Sequence, residues 1–225
     1  MRNGLMRIFS TAVITAALGA GAISVPAFAA GHPRPGPTPQ QLQGVTILDF
    51  LSARSVHYAG PVHFQGRNLT VNVALTNNGC TGTMSEPQFG SFGIVVLGKS
   101  EWVQPSDQFW AKLGVSDIEL ALFSGKWLDV GNSSLDLGPL YLLCTIRGAA
   151  SQFATSKVFG AGPVTLISGK PAQVLRTSGG TEFVSLSATP ELLRLIKGKD
   201  TTNYTRYGAR VKITPPPDDD VVPLP

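Results

Sequence analysis

The residues that could carry catalysis are few, and their spacing matches no catalytic or metal-binding motif. Of the three histidines, His57 and His63 fall in segments that we predict to be adjacent strands, without the third ligand that zinc needs. The acidic residues are spread along the chain, and no pair is typical of a glycosidase. The sequence has no GxSxG elbow, P-loop or dinucleotide fingerprint. It therefore predicts a protein without catalytic residues, cofactor or metal.

The first 29 residues have the three parts of a secretory signal peptide. Arg2 and Arg7 give a positive start, residues 8–23 form an apolar stretch, and Ala-Phe-Ala at 27–29 matches a cleavage site. A transmembrane anchor is the alternative, but about 20 apolar residues are needed to span a bilayer and this stretch is shorter. We therefore expect cleavage after Ala29 and a secreted, extracytoplasmic protein.

The two cysteines, Cys80 and Cys144, are predicted to form a disulfide. An exported chain meets an oxidising compartment, and an even cysteine count there favours pairing. No CxxC motif is present, and no histidine lies near either cysteine in the sequence. A structural disulfide is thus favoured over a redox or metal site.

The charge of the mature domain does not indicate a nucleic-acid partner. The signal peptide carries two of the 18 basic residues and none of the 14 acidic ones, which leaves a net charge near +2. The basic residues are also scattered, whereas a nucleic-acid surface concentrates them on one face.

Proline-rich segments flank the domain that we predict at residues 40–214. Residues 30–39 carry proline at alternate positions, which favours an extended tether, and residues 215–225 form a second, acidic tail. Between them, residues 69–76 alternate apolar and polar side chains, as a strand with one buried face does. Further strands are predicted at 81–85, 91–97, 101–104, 156–159, 164–168, 172–177 and 182–186, and in the part that holds Tyr204 to Ile213.

Helices are predicted before and between these strands. They begin at Thr38 or Pro39, near Asp107, at Ser116 and near Pro139, and Gly148 is a candidate for the end of the last one. Residues 192–196 could be strand or helix. The order helix, β meander, helices, β meander predicts an α+β fold, in which a large curved antiparallel sheet wraps around a few helices.

Seven segments, in this order, carry a resemblance to a known family. They are SVHY at 55–58, LTVNVAL at 69–75, NGCTGT at 78–83, GSF at 90–92, EWVQPSDQFW at 101–110, GKW at 125–127 and GKPA at 169–172. Together they resemble actinobacterial exported proteins related to the mycobacterial LppX/LprG lipoproteins, in the LolA/LolB-like superfamily. The chain departs from the lipoprotein members because no lipobox cysteine follows its signal peptide.

The resemblance implies a half-barrel sheet with helices over its concave face and an apolar cavity between them. Relatives bind acyl chains there and carry lipids or lipoproteins across a cell envelope. The cavity-lining residues that we predict are Leu69, Val71, Val73, Leu75, Phe92, Ile94, Val96, Trp102, Phe109 and Leu122. The expected function is noncatalytic binding of a lipid or other acyl ligand, with a membrane surface or an envelope protein as further partners.

Two other functions stay open at this point. The same fold could serve as an envelope interaction or sensor module without a lipid ligand, or as an enzyme of unrecognised type. The apolar faces described above would be core in a carrier and in an interaction module alike, so the sequence does not separate them.

Overall fold

The computed structural model describes residues 36–88, 90–112, 114–131 and 138–223. The predicted signal peptide and its cleavage site lie outside these residues, as does most of the predicted tether. Within the described ranges, no helix combines the length and the apolar character that crossing a membrane requires.

The described residues form five α-helices, one 3-10 turn and twelve strands. The helices are α1 Pro39–Ser52, α2 Asp107–Lys112, α3 Asp117–Phe123, α4 Gly138–Leu143 and α5 Ile146–Ala150. The strands are β1 Ser55–Phe64, β2 Arg67–Thr76, β3 Gly79–Glu86, β4 Gly90–Leu97, β5 Ser100–Pro105, β6 Trp127–Asp129, β7 Val158–Ile167, β8 Lys170–Thr177, β9 Gly180–Ser185, β10 Leu192–Lys197, β11 Asp200–Thr205 and β12 Val221–Pro223.

All twelve strands belong to one sheet, in the order β12-β6-β5-β4-β3-β2-β1-β11-β10-β9-β8-β7. The meander β1–β6 and the meander β7–β11 meet where β1 pairs with β11, and Tyr58 lies opposite Tyr204 at this seam. Neighbouring strands are antiparallel except β12, which runs parallel to β6. The predicted α+β fold with a large curved sheet is confirmed.

Local sequence signals define where two of the helices begin. The Thr38 side chain accepts a hydrogen bond from the Gln41 amide, and the Gln41 side chain bonds back to the Thr38 amide. Ser116 and Glu119 form the same reciprocal cap at α3. Such capping boxes satisfy amide groups that the first helical turn leaves without partners. Both predicted helix starts are confirmed.

The helix predicted near Pro139 is in fact two helices. The Thr145 hydroxyl accepts a hydrogen bond from the Gly148 amide at 2.9 Å, so it caps a new helix, α5, instead of continuing α4. Gly148 therefore lies inside α5 and does not end a helix.

The structure changes two of the predicted strands and decides one segment that the sequence pattern left open. The segments predicted at 156–159 and 164–168 are one strand, β7, whose pairing with β8 is irregular between Ala161 and Val164. Residues 192–196, which the pattern left open, belong to β10. The last strand of the domain ends at Thr205 and does not reach Ile213.

Part of the predicted C-terminal tail joins the sheet. The Lys126 amino group lies 2.9 Å from an Asp220 carboxylate oxygen and donates to the Asp219 carbonyl oxygen at 3.0 Å. These bonds hold the chain beside β6, where Val221–Pro223 pairs as β12. One acid of this tail, Asp220, therefore pairs with a lysine of the domain.

The core lies between the helices and one face of the sheet, here called the inner face. Phe50 of α1 and Phe153 pack edge to face with ring centroids 5.1 Å apart, and Phe50 also contacts Tyr204 at 5.7 Å. The Tyr58 hydroxyl donates to the Leu143 carbonyl oxygen of α4 at 2.7 Å. Helices α1, α4 and α5 are thus anchored over the central seam of the sheet.

The predicted disulfide between Cys80 and Cys144 is present, with an S–S distance of 2.06 Å. It joins β3 to the residue that follows α4, and both cysteines are fully buried. The bond closes a loop across a sequence separation of 64 residues. It therefore ties the first meander to the helices that cover it.

Replacing both cysteines by alanine should lower the free energy of unfolding by about 4 kcal/mol, because the unfolded chain regains the entropy of that loop. Urea denaturation followed by tryptophan fluorescence measures the change. Wild-type protein denatured in the presence of a reductant is the matched control and should lose a similar amount. A loss below about 1 kcal/mol in both samples would contradict a stabilising role for the bond.

Candidate ligand site on the inner face of the sheet

Seven of the ten predicted cavity-lining residues lie on the inner face within one packed core. They are Leu69, Val71, Val73, Leu75, Phe92, Ile94 and Val96, all buried. Phe109 is half-buried and packs at the edge of the same core. Leu122 is 66% exposed on α3.

Trp102 lies on the opposite face of the sheet. It pairs with Val95, whereas its neighbour Val103 pairs with Ile94 of the inner face. Successive strand residues point to opposite faces, so Val103 takes the inner position that the sequence analysis gave to Trp102. Val103 is buried in the core, as its register requires.

Part of the inner face carries apolar side chains that the described helices leave uncovered. Val164 on β7 lies opposite Gln173, two residues from the fully buried Leu175, so these positions share the inner face. Yet Val164 is 54% exposed and Leu166 is 68% exposed. Leu186, also exposed, extends the ladder because its amide donates to a β8 carbonyl oxygen at 3.0 Å. We call Val164, Leu166 and Leu186 the shelf.

The helix nearest the shelf presents an apolar stripe to solvent. Val45, Leu48 and Leu51 of α1 are exposed at intervals of three residues, and we call them the α1 stripe. The one charged residue of α1, Asp49, is only partly exposed, and its exposed polar residues Gln40, Gln41 and Ser52 lie near its two ends. An ordinary surface helix carries charged and polar side chains on its solvent face. Helix α1 packs against β7 and β9, and the shelf residues lie on β7 and directly after β9.

A groove of about 480 Å³ lies at the end of the sheet where α1 finishes. We call it the end groove. Its described lining residues are Leu51, Thr76, Asn77, Asn78, Gly79, Gly98, Tyr141, Cys144, Thr145, Ile146 and Arg147. Leu51 belongs to both the stripe and the groove, so the two surfaces are continuous.

A buried polar pair fixes α1 on the sheet. The Gln43 side-chain amide donates to both carboxylate oxygens of Glu182, at 3.0 and 3.2 Å, and Glu182 is fully buried on β9. Burial raises the pKa of Glu182 to about 7, although the hydrogen bonds from Gln43 and Thr177 and the charge of Lys197 each act to lower it. Burial likewise raises the pKa of Tyr204, and the nearby Glu182 charge adds to that effect.

Glu182 is not among the site residues predicted from the sequence. The two partners are 139 residues apart, so no local spacing connects Gln43 with Glu182. One signal was available: the acid stands in register with the apolar inner residues of β9, two positions before the fully buried Val184. A charged residue at an inner position of an alternating strand predicts a buried partner.

The two strand histidines do not form a site. Both lie on β1, not on adjacent strands as predicted, because that strand continues through Gly60 and Pro61. His57 Nε2 lies 2.7 Å from Asn72 Oδ1, and His63 Nε2 lies 3.8 Å from an Asp200 carboxylate oxygen. Across the described ranges, no group of three or more histidine, cysteine or acidic residues could hold a metal ion.

Glu182→Gln should remove a pH dependence of stability. The folded protein holds the Glu182 proton up to about pH 7, whereas the unfolded chain releases it near pH 4.5. The free energy of unfolding therefore falls as pH rises between these values, by on the order of 3 kcal/mol, and the glutamine variant lacks this decline. Denaturant titrations from pH 4 to 8 measure it. Asp117→Asn, at an exposed acid, is the control; a wild-type decline that persists in Glu182→Gln would contradict the assignment.

Comparison with known proteins reveals a fold but no sequence match. No protein family model and no curated protein matches the chain. LprF from Mycobacterium bovis is similar over 81% of this chain and 98% of its own, with a TM-score of 0.51 and 16% identity. The lipoprotein LppX from Mycobacterium tuberculosis is similar over 77% of this chain and 98% of its own, with a TM-score of 0.45 and 13% identity. The predicted resemblance is confirmed at the level of fold: the chain has the α+β fold of LprF.

Proposed function

We propose that the protein is an exported, noncatalytic carrier that binds the acyl chain of a lipid against the inner face of its sheet. The observation that carries this proposal is the shelf. Val164 and Leu166 lie on the face that elsewhere forms the core, yet more than half of each side chain is exposed. The fold shared with LprF supports the proposal. In this chain, helices and the inner face of that fold enclose the apolar core.

The chemistry of the exposed surface fits an acyl chain. The shelf and the α1 stripe offer aliphatic side chains only, so their binding energy comes from removing apolar area from water. Such burial is worth roughly 0.8 kcal/mol per methylene group, and it needs no directional partner. Catalysis would instead require convergent polar groups at the same surface.

The predicted lining residues of β2 and β4 are proposed as a deeper part of the same site. They pack in one core with Phe50 and Leu143, so an acyl chain reaches them only when a covering helix moves away from the sheet. A short chain would then use the stripe and the shelf alone. A long chain would extend beneath the helices.

Leu166→Glu should lower the affinity for a fluorescent fatty acid more than about tenfold, because it puts a charge where the chain is buried. Leu122→Glu is the matched control, since Leu122 is equally exposed but lies on α3. It should leave the affinity unchanged. Fluorescence titration with purified protein measures both.

Two results would contradict the proposal in different ways. A wild-type protein that binds no fatty acid would overturn the carrier function and favour an interaction module. A loss of binding in Leu122→Glu but not in Leu166→Glu would move the site to the neighbourhood of α3.

Comparison of octanoate with stearate tests the deeper part of the site. If the chain extends beneath the helices, each additional buried methylene should strengthen binding by about fourfold, so stearate should bind far more tightly. Isothermal titration calorimetry measures both affinities. Equal affinities would confine the ligand to the stripe and the shelf.

A further inference from the structure

The end groove carries charge of one sign among its described lining residues. Arg147 is the one charged residue among its described lining residues, and its side chain is exposed. The other described lining residues are apolar or neutral polar, including the Asn77 and Asn78 amides and the Thr145 hydroxyl. A guanidinium with no acidic neighbour among the described lining residues gives the groove a positive local potential.

Arg147 sits on a segment that is tied to the sheet. Cys144, three residues earlier, is bonded to Cys80 of β3. The Thr145 hydroxyl caps α5, and the Arg147 carbonyl oxygen accepts a hydrogen bond from the Ser151 amide at 3.0 Å. The backbone that carries the guanidinium is therefore fixed before any ligand arrives, which lowers the entropy lost on binding.

The opposite wall of the groove is a turn that is also held by its own bonds. The Thr76 hydroxyl donates to the Gly79 carbonyl oxygen at 3.1 Å and accepts from the Asn78 amide at 3.2 Å. The side-chain amides of Asn77 and Asn78 can donate hydrogen bonds to an oxygen-rich group. Arg147 and these two asparagines therefore line the same space.

We propose that the end groove binds the anionic headgroup of the lipid, with Arg147 as its charge partner. This inference rests on the proposed function. Leu51 connects the two surfaces, because it is the last residue of the α1 stripe and also lines the groove. A lipid whose acyl chain lies along the stripe thus places its polar end beside Arg147. A phosphate group suits the guanidinium because two parallel hydrogen bonds can form.

The test compares two lipids with the same acyl chains, dioctanoyl phosphatidylglycerol and dioctanoylglycerol. The wild-type protein should bind the anionic lipid about tenfold more tightly than the neutral one, as expected for one added charged hydrogen-bond partner. Arg147→Gln should lose most of this preference, because its affinity for the anionic lipid falls. Arg176→Gln, at an exposed arginine on the outer face of β8, should keep the preference.

The outcomes separate this inference from the function on which it rests. Equal binding of the two lipids by the wild-type protein, or a preference that persists in Arg147→Gln, overturns the headgroup assignment and leaves the acyl site standing. Binding of neither lipid overturns both. Glycerol phosphate that binds as tightly as the anionic lipid would identify the occupant as a soluble phosphate ester and overturn the lipid assignment.

Discussion

The structure depends on one constraint: the inner face of a very wide sheet has to be covered by a few short helices. Twelve strands at a spacing of about 4.8 Å make a ribbon more than 50 Å wide along its curve, whereas one helix covers about 10 Å. The helices α1, α4 and α5 meet the sheet over the seam between β1 and β11, where Phe50, Tyr58 and Tyr204 form the aromatic centre of the core. Helix α1 reaches β7, but Val164 and Leu166 on the same face of that strand stay exposed.

The sequence predicted the parts of this fold that follow from local pattern. The alternation at Leu69–Leu75 predicted the buried face of β2, and the Thr38 and Ser116 caps predicted two helix starts. The sequence pattern did not predict that Val164 and Leu166 would be exposed. An inner strand position carries an apolar residue in the sequence whether or not a helix covers it. Whether a helix covers a strand position depends on contacts between segments that are distant in the sequence. The pairing of Gln43 with Glu182, 139 residues apart, depends on such contacts too. The proposed site depends on such long-range contacts, so local sequence patterns did not predict it.

The two sides of α1 have different roles for a physical reason. Its inner side carries Gln43 and Phe50 into the core, and the directional bonds from Gln43 to the Glu182 carboxylate fit only one register of the helix on the sheet. Aliphatic contacts alone would let the helix slide, because they have no preferred direction. Because the inner side fixes the position of α1, Val45, Leu48 and Leu51 on the outer side are not needed to place the helix. Those residues are then available for another role.

The disulfide fixes the structure near the C-terminal end of α1. Cys144 is bonded to β3, so α4 and α5 cannot separate from the first meander, while the shelf beside β7 has no such crosslink among the described residues. A ligand that enters between a helix and the sheet therefore meets less resistance on the β7 side than at the disulfide. The polar end of that ligand would lie at the crosslinked end, where Arg147 is held in place. The acyl chain of the ligand would lie on the β7 side, where only noncovalent contacts hold the helix against the sheet.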